Sequence, residues 1–441
     1  MRILSITAGA AGMYCGSCFR DNALATELIA RGHEVSLVPL YTPTRTDEPN
    51  VSSRRVLFGG ISVYLQNRAP FFRKTPRLLD RLWDSPRVIS AFANRAASTD
   101  ARMLGDLTLS MLEGESGVLR KEFDKLIDWI RDEPLPDVIS IPNSLLIALV
   151  APLKRAVGRP VCCTLQGEEL FLDGLLPQYR EKAIALIRQH VRHVDRFLAV
   201  SDYCARFMGA LLEIPASRMA VVPLGINMSG YAVPASAAAS ASGVFTVGYF
   251  ARIAPEKGLH VLAEAYMIFK RMIGDAPSRL RAAGYSAPGP STYLDRVRHT
   301  LASAGLAGEF SYEGELDRQG KLEFLRRLDV LSVPATYDEP KGMFLIEAMA
   351  SGVPVVQPRR GAFTEVVERT GGGLLVGVDD PQSLAEGLFA LWSDRPRLEA
   401  LGAQAFVGAR EHYAIARSAD RLLDAIGELT RERATANAAV A

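Results

Sequence analysis

Glu339 and Glu347 stand eight residues apart in the segment Tyr337-Asp338-Glu339-Pro340-Lys341-Gly342-Met343-Phe344-Leu345-Ile346-Glu347-Ala348-Met349-Ala350-Ser351-Gly352. A carboxylate pair at that spacing can hold two separate sets of hydroxyls. Pro340 disfavours a helical Glu339 and suits a first helical turn, so the helix is expected to start at Pro340 with Glu339 just outside it. Gly352 is placed to end it. The unpaired amides near Gly342, Met343 and Phe344 are then able to receive an anion. From Lys341 to Glu347 the helix rises roughly 9 Å, comparable with the span from a sugar to a ribose across a diphosphate. One carboxylate would hold sugar hydroxyls and the other ribose hydroxyls. The bland reading, two solvated helix-end charges, fits Glu347 badly: its neighbours are apolar, and a charge there needs a partner.

A second set of charges follows an apolar strand in Gly248-Tyr249-Phe250-Ala251-Arg252-Ile253-Ala254-Pro255-Glu256-Lys257-Gly258. A strand end and a proline-stiffened loop can aim Arg252 and Lys257 at one point, where fixed cations stabilise a leaving group that gathers negative charge. Ordinary surface cations are the alternative. Near the start of the chain, Gly9, Gly12 and Gly16 lie between a strand and a helix, where glycine lets the backbone approach a ligand or merely permits a tight turn; for Gly9 the turn is the better reading. Cys15-Gly16-Ser17-Cys18 in that loop raises a rival class, a thiol-redox protein, because a helix start lowers thiol pKa. The adjacent Cys162 and Cys163 lack metal-site spacing.

These segments, in this order, resemble the family-4 retaining glycosyltransferases of the GT-B fold. The Glu339–Glu347 segment is similar to that family's Glu-x7-Glu signature and is followed by a Gly-Val-Pro-Val-Val strand. Arg252 and Lys257 resemble its Gly-Arg…Pro-x-Lys-Gly motif. Val221-Val222-Pro223-Leu224-Gly225-Ile226-Asn227 is similar to its Pro-Asn-Gly-Val-Asp stretch, with Leu224 and Asn227 as departures. Gly361-Ala362-Phe363-Thr364-Glu365-Val366-Val367 and Gly373-Leu374-Leu375-Val376 resemble two later motifs.

The resemblance implies a sugar moved with retention of configuration from a nucleotide-diphosphate donor to a hydroxyl acceptor. Catalytic roles fall to Glu339, Arg252 and Lys257, and donor binding to Gly16, Gln166, Gly342, Met343, Phe344 and Glu347. In the family the two cations stand in for a divalent metal, and the chain has no obvious Asp-x-Asp motif, so no metal and no cofactor are expected. Gly16 aligns with the second glycine of the family's Gly-Gly loop. Gln166 occupies a place where many relatives have histidine. An amide can hydrogen-bond a sugar hydroxyl but cannot titrate, so Gln166 is expected to position the sugar rather than act as acid or base. Glu168 and Glu169 beside it are either acceptor-side or structural. A donor-binding protein without catalysis, or a phosphorylase-like relative, remains an alternative.

Positioning these residues takes two α/β domains. Arg2 to Thr7, the glycine loop, a helix ending at Gly32 and Glu34 to Val38 make a βαβ unit and hence a parallel sheet. Further strands are expected at 138–141, 161–165, 197–200 and 219–222. After an alanine- and serine-rich break the alternation resumes at 244–250, with strands at 278–282, 310–312, 330–333, 353–356 and 374–376. The expected organisation is an acceptor-side Rossmann-like domain over 1–228 with a helical insertion at about 68–135, a linker over 229–243, a nucleotide-sugar domain over 244–433 and a frayed tail over 434–441. Ligand is expected in the cleft between the two doubly wound sheets.

Bulk numbers agree with that size. The chain has 441 residues, 48% hydrophobic and 23% charged, which indicates globular domains. A net charge of +2 gives no case for nucleic acid as partner. No apolar run approaches the length that spans a bilayer, and the apolar start of the chain is too short for a signal peptide. Five cysteines imply no disulfide framework, which suits the cytoplasm. Arg68, Arg73, Lys74, Arg77, Arg81, Arg87 and Arg95, interleaved with Phe71, Phe72, Trp83 and Phe92, fit a helical insertion with aromatics packed inward, a surface that gathers a charged acceptor, or a peripheral contact with the inner face of an anionic membrane. The nucleotide, the hexose, the acceptor and the oligomeric state are not specified.

Overall fold

Two six-stranded parallel sheets carry the described residues of the computed structural model, which are 1–9, 15–53, 56, 58, 101–232, 243–286 and 292–440. The chain divides into two compact units, Met1–Gly225 with Ile415–Ala441, and Ile226–Ala414. The expected doubly wound α/β class is what the strands and their flanking helices form.

In the first unit the strands are β1 (Arg2–Thr7), β2 (Glu34–Pro39), β3 (Val138–Ile141), β4 (Val161–Leu165), β5 (Arg196–Ala199) and β6 (Met219–Val221), in the order β2-β1-β3-β4-β5-β6. The helices between them are α1 (Gly16–Ala30), α2 (Gly105–Leu112), α3 (Arg120–Asp132), α4 (Val150–Val157), α5 (Glu169–Gly174), α6 (Pro177–Val191) and α7 (Asp202–Leu212). Val161-Cys162-Cys163-Thr164-Leu165 is buried along its whole length, as a central parallel strand covered on both faces must be. Residues 101–135 of the expected insertion are largely helical. The basic segment 68–95 and Gly12 lie outside the described residues.

The chain's last helix, Ile415–Val440, belongs to this first unit. The expected boundary at 433 is therefore corrected to Ala414, and residues 434–440, expected to fray, continue the helix. The cause is apolar spacing. Ala419, Leu422, Ala425, Ile426 and Leu429 share one face and join a core with Ile3, Leu24, Leu28, Val138, Cys162, Leu198 and Val222. Arg31 fixes the helix start, pairing with Asp420 at 2.6 Å and donating to the Ala416 carbonyl at 2.8 Å.

The second unit orders its strands β12-β11-β10-β7-β8-β9. They are β7 (Phe245–Phe250), β8 (Ser278–Ala283), β9 (Phe310–Tyr312), β10 (Val330–Leu331), β11 (Val355–Pro358) and β12 (Gly373–Val376). Its helices are α8 (Leu259–Ile273), α9 (Thr292–Ser303), α10 (Arg318–Arg326), α11 (Met343–Ala350), α12 (Gly361–Thr370), α13 (Pro381–Ser393) and α14 (Arg395–Tyr413). β11 starts at Val355 rather than Val353 because Pro354 has no N–H to give the ladder; its carbonyl still accepts from Leu331 at 3.0 Å. Residues 233–242 of the expected linker lie outside the described residues, while 229–232 belong to the second unit.

Candidate active site

Because β7 and β10 are neighbours in the sheet, the loops leaving their carboxyl ends meet. The Thr336 amide donates to the Glu256 carbonyl at 3.0 Å, tying the two loops together. Gly258 makes the approach possible: its φ is 77°, and a Cβ there would sit 1.9 Å from the Pro334 carbonyl oxygen. Pro255 opens a tight turn, Pro255–Lys257, that directs the Lys257 side chain across to the other loop. There its ammonium donates to the Tyr337 hydroxyl at 2.6 Å and forms an ion pair with Glu339 Oε2. Tyr337 donates to the same carboxylate oxygen. The ammonium also lies 4.9 Å from the centre of the Tyr337 ring and 5.7 Å from that of Phe344.

Glu339 is 4% exposed. Burial pushes its carboxyl up, but the Lys257 charge, hydrogen bonds from Lys257 and Tyr337, and the Lys341 charge together hold it below its ordinary value. Its backbone is fixed as firmly. The Ala362 amide at the start of α12 donates to the Glu339 carbonyl at 2.8 Å, and a Cβ on Gly361 would fall 2.5 Å from that carbonyl oxygen. The other carboxylate oxygen, Oε1, accepts the Lys341 amide at 3.3 Å.

The helix carrying the second glutamate begins at Met343, not at Pro340. Gly342 is its N-cap in the left-handed region, φ 73°, and that turn keeps Pro340 and Lys341 out of the helix. The amides of Met343 and Phe344 are thus those that a helix start leaves without intrahelical acceptors. Gly352, φ 74°, follows the other end, where the Val353 amide returns to the Ala348 carbonyl at 3.0 Å. Glu347 is buried and takes Lys321 Nζ at 2.6 Å and the Tyr231 hydroxyl at 3.3 Å, both on Oε1. Arg252 engages the Glu256 carboxylate within its own loop, with its side chain 46% exposed, and takes no part in the hydrogen bonds joining Lys257, Tyr337 and Glu339.

In the first unit, Gly16 is the first residue of α1, and a Cβ there would meet no described atom within 4 Å. Gly9 is different: φ is 79° and a Cβ would lie 1.9 Å from the Thr42 carbonyl oxygen, so packing alone demands glycine. Cys15 caps α1, and Cys18 is buried. A hydrogen bond with Cys15 and then burial push the Cys18 thiol far up, the opposite of what an attacking thiol needs. Gln166, at the end of β4, is 5% exposed and donates from Nε2 to the Pro142 carbonyl at 2.7 Å. Its Oε1 is buried without a partner among the described residues. Glu168 accepts the Gln166 amide at 2.8 Å on one oxygen and the Ser144 amide at 2.9 Å on the other.

Two family models match the chain: a glycosyl transferase 4-like domain over residues 22–225 and glycosyl transferases group 1 over residues 237–407. The chain belongs to the family-4-like glycosyltransferases of the GT-B fold. A lipopolysaccharide core biosynthesis mannosyltransferase, LpsB of Rhizobium meliloti, is 29% identical over 306 residues, 64% of this chain and 83% of that one. Against the next curated relatives the match spans about half of their own length. Sucrose-phosphate synthase of Thermosynechococcus elongatus superposes with a TM-score of 0.71 at 18% identity, covering 99% of each chain. Anabaena HepE, solved with UDP and glucose, gives 0.66 at 17% identity over 97% of this chain and 100% of that one. At those identities the structures establish the fold alone.

In this glycosyltransferase several residues to which the sequence pattern gives no role contact the candidate site residues or their loop. Tyr337 opens the quoted segment but carried no role. Lys321 and Tyr231 give Glu347 the partner its apolar setting demands, yet both are remote in sequence. Arg360 grips the far side of the same loop: it pairs with both Asp379 oxygens at 3.0 and 2.6 Å and donates to the Ala335 carbonyl at 3.1 Å. Among the described residues no cluster of three or more His, Cys, Asp or Glu side chains is placed to hold a metal ion, and no helix is long and apolar enough to cross a membrane.

Proposed function

We propose that the chain is a retaining hexosyltransferase that uses a nucleotide-diphosphate sugar and needs no metal ion. The observation that carries this reading is the ammonium of Lys257 held against Glu339 and Phe344, next to the open amides of α11. Lys257, Arg252 and those amides would stabilise the diphosphate as it departs. Glu339 Oε1, whose one described contact is a long hydrogen bond, would take hydroxyls of the transferred sugar. Glu347 would take the ribose. Gln166 and Gly16 of the first unit are assigned to the donor by the family pattern, and Gln166 Oε1, without a partner among the described residues, is an acceptor suited to a sugar hydroxyl. The UDP and glucose of the HepE structure support a nucleotide-sugar donor.

Retention follows from same-face substitution. The bond from the anomeric carbon to the phosphate oxygen breaks, the bond to the acceptor oxygen forms on the same face, and the acceptor's proton passes to the departing phosphate. The acceptor is a lipid, glycan or small-molecule hydroxyl. The reading is tested by screening UDP-, GDP- and ADP-sugars for thermal stabilisation and then following turnover in chelator. Release of a nucleoside diphosphate in the presence of EDTA, with an α-linked product from an α-linked donor, is expected. Release of orthophosphate from a sugar phosphate would identify a phosphorylase, and stabilisation without turnover on any acceptor a binding protein.

A further inference from the structure

Glu347 is held by more than its own helix. Lys321 comes from α10 and is 4% exposed; its ammonium is 2.6 Å from Glu347 Oε1. Asp317 caps that helix, accepting the Gly320 amide at 2.8 Å, which fixes the turn that carries Lys321. Tyr231, also 4% exposed, donates to the same oxygen from the turn-containing segment that opens the second unit. Three arginines button that segment down by its carbonyls. Arg318 donates to Asn227 at 3.1 Å and to Ser229 at 2.8 Å, Arg326 to Gly230 at 2.6 Å, and Arg410 to Tyr231 at 2.7 Å. The Arg318 guanidinium lies 5.6 Å from the centre of the Tyr231 ring. Gly230, φ 83°, lets the backbone close on Leu322, which a Cβ would strike at 2.8 Å.

We propose that Lys321 and Tyr231 are positioning residues for the nucleotide: by converging on Oε1 they hold the Glu347 carboxylate turned so that Oε2 is presented to the donor's ribose hydroxyls. This rests on the donor reading given above. A carboxylate free to rotate offers its oxygens to water in many orientations, and freezing it before the ligand arrives removes that cost from binding. Lys321 need not touch the nucleotide to do this. A purely structural ion pair would stabilise the fold equally but would leave discrimination between ribose and deoxyribose unchanged.

The test measures binding of UDP, GDP and ADP to the full chain by calorimetry, then of the 2′-deoxy and 3′-deoxy forms of whichever binds. Wild type is expected to favour the ribose form over at least one deoxy form by ~10-fold or more, as a site built to hydrogen-bond a hydroxyl does. Lys321→Met and Tyr231→Phe should shrink that ratio to about 3-fold or less, by weakening the ribose form alone. Tyr231→Phe keeps the ring and removes one hydroxyl, so it reports even where Lys321→Met fails to fold. Lys321→Met in a Glu347→Gln background should add no further loss of nucleotide affinity. An unchanged ratio in Tyr231→Phe together with an additive loss in the double variant would overturn the proposal while leaving the donor reading intact. Absence of any diphosphate binding by wild type would remove the donor reading itself.

Discussion

At the scale of single residues, the centre of the site is one ion pair with a third group attached. Lys257 and Tyr337 both serve Glu339 Oε2. Because the folded carboxyl is held below its ordinary value of 4.5, its stabilising contribution is complete above that pH and is lost as pH falls through the lowered folded value. Thermal unfolding followed from about pH 6 to about pH 3 should therefore show a steeper loss in wild type than in Glu339→Gln. At neutral pH the variant should be less stable by ~1–3 kcal/mol, since Lys257 keeps a half-satisfied ammonium. Parallel acid limbs in the two proteins would mean that Lys257 does not hold the carboxylate. Gly16 gives a cleaner separation of folding from binding. With no described atom within 4 Å of its Cβ position, Gly16→Ala should leave the unfolding temperature unchanged or slightly raised, as expected inside a helix, while weakening donor binding. A variant with wild-type donor affinity would make Gly16 only the opening residue of α1. The types of these residues were legible in the chain because charge, proline and glycine sit close together in it. Lys321 was not, because nothing in the sequence around it says that its helix will be laid against Glu347.

At the scale of elements, two loops bring Lys257 and Glu339 together, and close backbone contacts hold those loops alongside the ion pair. Gly258 sits where a Cβ would overlap the Pro334 carbonyl, and its φ of 77° is already costly for any other residue. Gly258→Ala should therefore lose ~2–4 kcal/mol of stability and also turn Lys257 away from Glu339, so kcat falls more than the unfolding data alone would suggest. Gly361→Ala should act on the other half of the pair, because its Cβ would press on the Glu339 peptide. Chemical denaturation and kcat measured together check both; full kcat in either folded variant would show that the loops tolerate the shift. The same elements show how far local pattern reaches. Strand positions followed from apolar runs. The start of α11 did not, since Pro340 reads as a first-turn residue and only the left-handed Gly342 reveals that the helix waits until Met343. A glycine's φ is decided by what packs against it, which one sequence does not state.

At the scale of the whole molecule, the last helix is the element most easily assigned to the wrong unit. Its amphipathic spacing was readable, but an apolar stripe specifies only that it must be covered, and chain order suggested the sheet it follows. The helix instead completes the core of the first unit, where Leu422 is 5% and Ile426 2% exposed against Ile3, Val138 and Leu198. Truncating Ile426 to alanine should then cost ~2–4 kcal/mol, the usual range for a buried aliphatic side chain. The loss has an address. Amide exchange should accelerate in β1, β3, β4 and β5, which lie beneath the helix, and remain at wild-type levels in β7, β8, β10 and β11. Donor binding by the second unit's own residues should survive the change, since Lys257, Glu339 and Glu347 draw their partners from within 226–414. Faster exchange in the second sheet instead would return the helix to the unit it follows in the chain, and with it the assignment of residues 415–433.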